Sequence, residues 1–340
     1  MSEIRQDRTT GRWVVIAPER GRRPRQWHRC ESEAKSAAPF DSACPFCPGN
    51  ERLLPGIIEE VRSDRVPGWR TRVVPNKYPV LRPEHGSAPM GESTGPVRAG
   101  YGYHEVIVET ARHDADFTTL SDTDLNAVVR TYRQRYVELI SRPKVKAVLV
   151  FRNRGRGGGA SLVHPHSQVI AIGMMPPQLS AAFAWARSYY AGQGRCVTCE
   201  ELERELADGR RVVEATKHFL VVVPFAAASP FELSILPRRH QASIAQCDDI
   251  ELAELGRILQ RTLRRLNAVL HKPSYNYVIE AGAAEHADAP YSHWRLRIVP
   301  DLVTPGGFEL GAGLPINPSR PEEDAGILRA EAIPARGLVK

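Results

Sequence analysis

An α+β fold is expected, built as two tandem units that each pair an antiparallel sheet with one long helix. Three observations predict it. The chain of 340 residues carries two Cys-x-x-Cys pairs, Cys44-Pro-Phe-Cys47 and Cys196-Val-Thr-Cys199, one in each half. Behind each pair the same succession of strand, histidine, long helix and two further strands occurs. The spacing repeats as well: 51 residues separate His113 from His164, and 53 separate His240 from His293.

The elements follow in order. In the first half, residues 104–110 form an apolar strand that leads to Arg112-His113. A helix opens at Ser121 or Asp122, places Leu125, Val128, Val129, Tyr132, Tyr136 and Leu139 along one face, and stops before Pro143. A strand at 146–152, a glycine-rich turn and a strand at 164–172 complete the unit. In the second half, strands at 219–224 and 231–236 lead to Arg239-His240. A helix opening near Asp248 carries Ile250, Leu255, Ile258, Leu259, Leu263, Leu266 and Leu270 before Pro273, and strands at 275–280 and 293–300 close the unit. Met174-Met-Pro-Pro177 marks the boundary, giving an N-terminal unit of residues 1–176 and a C-terminal unit of residues 177–340. Residues 180–190 are expected to form a bridging helix. The stretch 304–340, first Gly- and Pro-rich and then helical around 322–332, reads as a substrate loop and a wrapping tail.

Several classes are excluded. The N-terminal MSEIRQDRTTGRW has no apolar segment of the secretory kind. No run approaches the roughly 20 apolar residues of a membrane span. A reducing cytoplasm with no membrane partner is therefore expected, and there close cysteine pairs are metal ligands rather than disulfides. The net charge of +7, from 46 Lys plus Arg against 39 Asp plus Glu, is spread thinly and fits a phosphate-binding site as well as a nucleic-acid surface.

Zinc takes thiolate and imidazole ligands, and a Cys-x-x-Cys turn supplies two of them at once. Cys44 and Cys47 are completed by His113 and His164. Cys196 and Cys199 are completed by His240 and His293, with His218 and His286 as competing choices. Each set of two Cys and two His is closed, which is the structural kind of zinc site. A redox dithiol is the alternative, and the recurrence of similarly placed histidines argues against it. Cys30 and Cys247 have no partners in sequence and read as free thiols.

The segment from Asn153 to Gln168 is the most informative in the chain. On a strand, residues 164, 166 and 168 share a face, so His166 and Gln168 lie side by side. The preceding glycines allow close backbone approach and present N–H groups to phosphate oxygens, with Arg154, Arg156 and Ser161 as further donors. A neutral imidazole attacks phosphorus at pH 7 and forms a phosphoramidate that lasts while water is kept out. Gln168 can donate to a phosphate oxygen but is neither acid nor base. Aligning the halves sets Arg295 against His166 and Arg297 against Gln168, so one half alone is expected to be chemically active.

Taken together, Arg20-Gly-Arg-Arg-Pro24, Cys44-Pro-Phe-Cys47, Pro75-Asn-Lys-Tyr-Pro79, Glu109-Thr-Ala-Arg-His113 and His164-Pro-His-Ser-Gln168 resemble the galactose-1-phosphate uridylyltransferases of the histidine-triad superfamily over nearly the whole chain. The resemblance implies two histidine-triad-like units, a homodimer and a ping-pong reaction with His166 as nucleophile and Gln168 stabilising the intermediate. It places Arg20, Arg23, Asn76, Asn153 and Ser161 around the nucleotide and its phosphates. Cys196, Cys199 and Gly306-Gly-Phe-Glu309 are similar instead to the branch that includes plant ADP-glucose phosphorylase, and Gly307, Phe308 and Glu309 become candidates for contacting sugar or nucleotide. The first functional expectation is uridylyl transfer between UDP-glucose and galactose 1-phosphate. The second is an ADP-glucose phosphorylase or other adenylyltransferase, with inorganic phosphate as acceptor. A zinc-stabilised nucleic-acid-binding protein, on the basic helix residues Arg257, Arg261, Arg264 and Arg265, ranks last, and no nucleic-acid partner is expected.

Overall fold

A computed structural model describes residues 2–22, 38–62, 68–85, 95 and 97–331; Arg23 and Cys30 lie outside them. In chain order the strands and helices are β1 (Glu3–Gln6), β2 (Trp13–Ile16), β3 (Glu59–Arg62), β4 (Trp69–Pro75), β5 (Gly102–Val108), α1 (Asp122–Ile140), β6 (Ala147–Arg154), β7 (His166–Ile172), α2 (Pro177–Gln193), α3 (Val197–Asp208), β8 (Val212–Ala215), β9 (Phe219–Val222), β10 (Leu233–Pro237), α4 (Asp249–Leu270), β11 (Tyr275–Glu280), β12 (Arg295–Pro300), α5 (Gly307–Ala312), β13 (Ile316–Asn317) and α6 (Pro321–Ala330).

The two long helices form where apolar spacing and caps coincide. Ser121 caps α1, its hydroxyl accepting from the Asp124 N–H at 3.2 Å. Asp248 and Glu251 cap α4 reciprocally at 2.8 and 2.9 Å. The apolar faces of both helices bury against one side of the sheet, with Leu125, Val128, Leu259 and Leu263 fully enclosed.

Ten strands make a single antiparallel sheet in the order β3-β4-β5-β7-β6-β11-β12-β10-β9-β8. Read outward from the centre, each half has the same connectivity: β6, β7, β5, β4, β3 on one side and β11, β12, β10, β9, β8 on the other. The expected duplication is thus present. The halves are joined edge to edge through β6 and β11, where Arg152 lies opposite Tyr277 and Asn153 opposite Asn276. A separate small sheet, β1-β2-β13, brings the N-terminal hairpin and the C-terminal tail together.

On β7 the alternation places Ser167, Val169 and Ala171 toward the helices. His166 and Gln168 therefore project from the opposite face. On that face Val106 and Val108 of β5 pack with Cys44, Phe46, Cys47, Trp69 and Val74. Among the described residues no helix is long and apolar enough to cross a membrane.

Candidate active site and metal centres

The first cysteine pair sits in a turn, and the structure carries its two sulfurs to the end of β7. Cys44 Sγ is 3.6 Å and Cys47 Sγ 3.7 Å from His164 Nδ1, and Cys47 Sγ is 3.5 Å from His113 Nδ1. In a tetrahedron with bonds of about 2.3 Å to sulfur and 2.0–2.1 Å to nitrogen, sulfur and nitrogen stand about 3.6 Å apart. The donor set fits an ion of that kind. Its tautomer is also prepared: His164 Nε2 donates to the Thr110 carbonyl at 2.8 Å, which turns the lone pair of Nδ1 toward the sulfurs. Burial pushes the Cys44 thiol up to about 11, so its thiolate is favoured here by a bound cation.

The second set repeats this arrangement. Cys199 Sγ lies 3.3 Å from His240 Nδ1 and 3.4 Å from His293 Nδ1, with Cys196 Sγ 3.9 Å from His293. The two histidine rings stand 5.3 Å apart at 86°, against 5.3 Å and 85° in the first set. His293 Nε2 donates to the Pro237 carbonyl at 2.9 Å. The competing histidines lie elsewhere: His218 faces Glu254, while His286 contacts Tyr291 and Phe183. The sets differ in exposure. All four residues of the first are buried, whereas His240 is exposed and Cys199 half-buried.

His166 is 7% exposed, and its Nδ1 donates to the His164 carbonyl at 2.7 Å. A carbonyl can only accept, so Nε2 of the neutral ring keeps its lone pair. Burial pushes the pKa of His166 below the usual imidazole value, outweighing that hydrogen bond. The ring of Phe46, between the two cysteines, packs 5.3 Å from His166 and 5.9 Å from His164. The first Cys2His2 set and His166 are thus one packed unit.

Gln168, two residues on, holds its Oε1 2.7 Å from His104 Nε2, beside Asn76. Asn153 stands two residues beyond Phe151, which lies opposite Gln168, and its Oδ1 accepts from Asn276 Nδ2 at 2.8 Å. His166, Gln168, Asn76 and Asn153 therefore gather on one face. Ser161 is exposed in the segment that enters β7, and Arg20 is exposed in the turn after β2.

Other expectations are modified. Gly307, Phe308 and Glu309 form the first turn of the surface helix α5, and Glu309 accepts from the Gly306 N–H at 3.0 Å, capping its own helix. Phe308 is 53% exposed. Arg154 is committed to Asp116 at 3.2 Å and the Pro273 carbonyl at 2.7 Å rather than standing free. The glycine turn has a packing reason of its own. A Cβ on Gly158 would come within 2.5 Å of the Arg154 carbonyl and 2.8 Å of the Tyr275 carbonyl, and Gly155 has φ +75° with Ser274 against it. The amides of Gly159 and Ala160 are spent within the turn.

Sequence reasoning missed the layer behind β7. Glu109, with no exposed surface, accepts from Arg152 Nε at 3.1 Å, from the Tyr132 hydroxyl at 2.9 Å and from the Ser167 hydroxyl. Tyr132 also meets Tyr277 of the other repeat at 2.7 Å. The clues were a Glu, an Arg and a Ser interrupting strands otherwise expected to be apolar, and the presence of Glu109 and Ser167 in the quoted motifs with no role assigned to them.

In the second repeat, Arg295 and Arg297 occupy the places of His166 and Gln168, and both donate to Glu280, at 2.7 and 2.9 Å. Arg295 also reaches Thr9 at 3.1 Å. A guanidinium stays protonated and cannot attack phosphorus.

The chain, a duplicated strand-and-helix unit with one histidine strand and one arginine strand on a continuous sheet, is related over its length to nucleotidyltransferases. Residues 1–176 match the N-terminal domain, and residues 183–300 the C-terminal domain, of galactose-1-phosphate uridyl transferase. The chain belongs to that family. It is 33% identical over 331 residues to the ADP-glucose phosphorylase of Arabidopsis thaliana, covering 96% of this chain and 92% of the relative. It is 28% identical over 339 residues to the galactose-1-phosphate uridylyltransferase of Thermotoga maritima, covering 97% and 98%. The crystal structure of an Arabidopsis thaliana ADP-glucose phosphorylase with bound ADP-glucose superposes with a TM-score of 0.84 at 30% identity, covering 98% of this chain and 99% of that one.

Proposed function

We propose that the chain transfers a nucleotidyl group through a covalent intermediate on His166. The observation that carries this reading is the hydrogen bond from His166 Nδ1 to the His164 carbonyl. It leaves Nε2 as the nucleophilic nitrogen and prevents the ring from turning. Nε2 attacks the α-phosphorus of a nucleotide sugar; the bond to the bridging oxygen breaks and hexose 1-phosphate leaves with its electron pair. A phosphate monoester leaves as an anion without needing a proton, which suits a site where Gln168 is no general acid. An oxygen of the acceptor phosphate then attacks the same phosphorus, and the bond to Nε2 breaks. Gln168 donates to a nonbridging oxygen in both steps, and Asn76, Asn153, Ser161 and Arg20 line the nucleotide.

ADP-glucose with inorganic phosphate is the favoured pair, giving ADP and glucose 1-phosphate. The likeness to the plant ADP-glucose phosphorylase supports it. The second reading is uridylyl transfer from UDP-glucose to galactose 1-phosphate, favoured by the full-length likeness to the bacterial uridylyltransferase.

Zinc suits the thiolate and imidazole donors at both sets, held by Cys44, Cys47, His113 and His164 and by Cys196, Cys199, His240 and His293. Bound there, it neutralises the thiolates and ties a loop or helix end to the sheet. The homodimer implied by the family belongs to the same reading and is checked by light scattering.

Incubation with ADP-glucose or UDP-glucose alone, read by intact mass and hexose 1-phosphate release, tests the function. An adenylyl adduct absent in His166→Ala is expected. A uridylyl adduct in its place would select the second reading, and no adduct with either donor would sink the covalent mechanism.

A further inference from the structure

Gln168 serves a phosphate only if its carboxamide presents the NH2 edge, and a free amide side chain can sit either way round. The neighbour that decides this is a histidine outside the sequence motifs. His104 lies on β5, opposite Ile170 of β7, two positions along from the Val106–Gln168 pair and on the same face. It is 9% exposed.

The proton on this ring can be placed by elimination. The Val80 N–H donates to His104 Nδ1 at 3.3 Å, so Nδ1 is an acceptor and the one proton of the neutral ring is on Nε2. Burial lowers the pKa of His104, which keeps the ring neutral. Two groups stand near Nε2: Gln168 Oε1 at 2.7 Å and Asn76 Nδ2 at 3.1 Å. Asn76 Oδ1 already accepts from the Tyr78 N–H at 2.8 Å, so its NH2 faces the ring and cannot take the proton. The proton goes to Gln168 Oε1.

We infer that His104 is a positioning residue that holds the Gln168 carboxamide with its oxygen toward β5 and its NH2 toward the phosphate attacked by His166. The inference rests on the proposed role of Gln168 as a donor to that phosphate. Reversing the amide would set its NH2 against the imidazole N–H and its oxygen against the phosphate oxygens, so both contacts oppose the turn. The ring sits on the strand next to Gln168, and the segment 76–80 that orients it includes Asn76. Nucleotide-lining loop and phosphate donor are thereby linked through one imidazole.

The test uses the full chain and four variants: His104→Ala, His104→Gln, Gln168→Ala and the His104→Ala/Gln168→Ala double variant. Single-turnover release of hexose 1-phosphate, nucleotide-sugar affinity and thermal unfolding are measured for each. His104→Ala is expected to slow release about 10- to 100-fold while affinity changes by no more than about threefold. His104→Gln is expected to recover most of the rate, because its Nε2–H can reach the place of the imidazole N–H. In the Gln168→Ala background, His104→Ala should change the rate by less than about twofold, since the two act as a unit. Additive losses in the double variant, or an unaltered rate in His104→Ala, would overturn the inference. If instead His166→Ala still forms the adduct, the covalent reading itself is wrong, whatever the His104 variants do.

Discussion

Replacing Arg152 with Met tests the layer that holds the histidine strand from behind. Arg152 is 3% exposed and Glu109 is fully buried. The carboxylate is neutralised by Arg152 and further satisfied by the hydroxyls of Tyr132 and Ser167, while Arg152 Nη1 donates to Tyr275 at 2.7 Å. Removing the cation leaves a buried charge with only hydroxyl partners, at a cost of about 3–5 kcal/mol. For 340 residues the unfolding entropy, at about 2.1 cal/mol/K per residue, turns a loss of about 4 kcal/mol into a drop of about 6 °C in Tm. Replacing both members, Glu109→Leu with Arg152→Met, should cost only about 1–2 kcal/mol, because no charge is stranded and Tyr132, Ser167 and Tyr277 still bond to one another. Urea and thermal unfolding read by circular dichroism measure both. Ser167 lies between His166 and Gln168, so adduct formation should slow in Arg152→Met as well. A single variant within about 1 kcal/mol of wild type, or a double variant no more stable than Arg152→Met alone, would refute the reasoning.

Phe46→Ala should destabilise the chain by about 3 kcal/mol and slow adduct formation, because the ring packs on both His164 and His166; an unchanged single-turnover rate would show that the ring only fills space. With zinc bound, a colorimetric chelator should draw metal in two phases, the faster from the set containing exposed His240. Cys199→Ser should abolish that phase and Cys47→Ser the slower one, and the reverse order would contradict the difference in burial. Burial alone would raise the Asp116 pKa, but Arg152 and Arg154 and the Thr118 N–H hold it down to about 2, from an ordinary 3.8. A carboxyl lowered in the folded state stabilises above its unfolded pKa and loses that contribution as pH falls toward 2. Asp116→Asn should therefore remove about 2 kcal/mol of stability at pH 7 and flatten the decline between pH 4 and 2; an unaltered acid limb in urea titrations would count against it.

The long helices, the central strands and both cysteine pairs were legible because their signals are local. α1 and α4 carry apolar residues at helical spacing behind a Ser or Asp cap, and β11 ends where expected. The outermost strands β3 and β8, four residues each, and the β1-β2 hairpin escaped notice, since short and partly exposed strands carry little alternation. α3 escaped because the second cysteine pair suggested another turn, whereas Cys196 is the residue that precedes a helix.

By its own pattern the sequence determined that the chain is duplicated, that each half holds two cysteines and two histidines at similar intervals, and that one half has His166 where the other has Arg295. Spacing along the chain is enough for that. Only the tertiary structure decided that the repeats share one sheet, because the β6–β11 register joins residues more than a hundred positions apart and is set by packing rather than local preference. It alone brought His240 beside Cys199, committed Arg154 to Asp116, and set His104 against Gln168. Those choices depend on which side chains reach each other across strands, and neither composition nor spacing contains that distance.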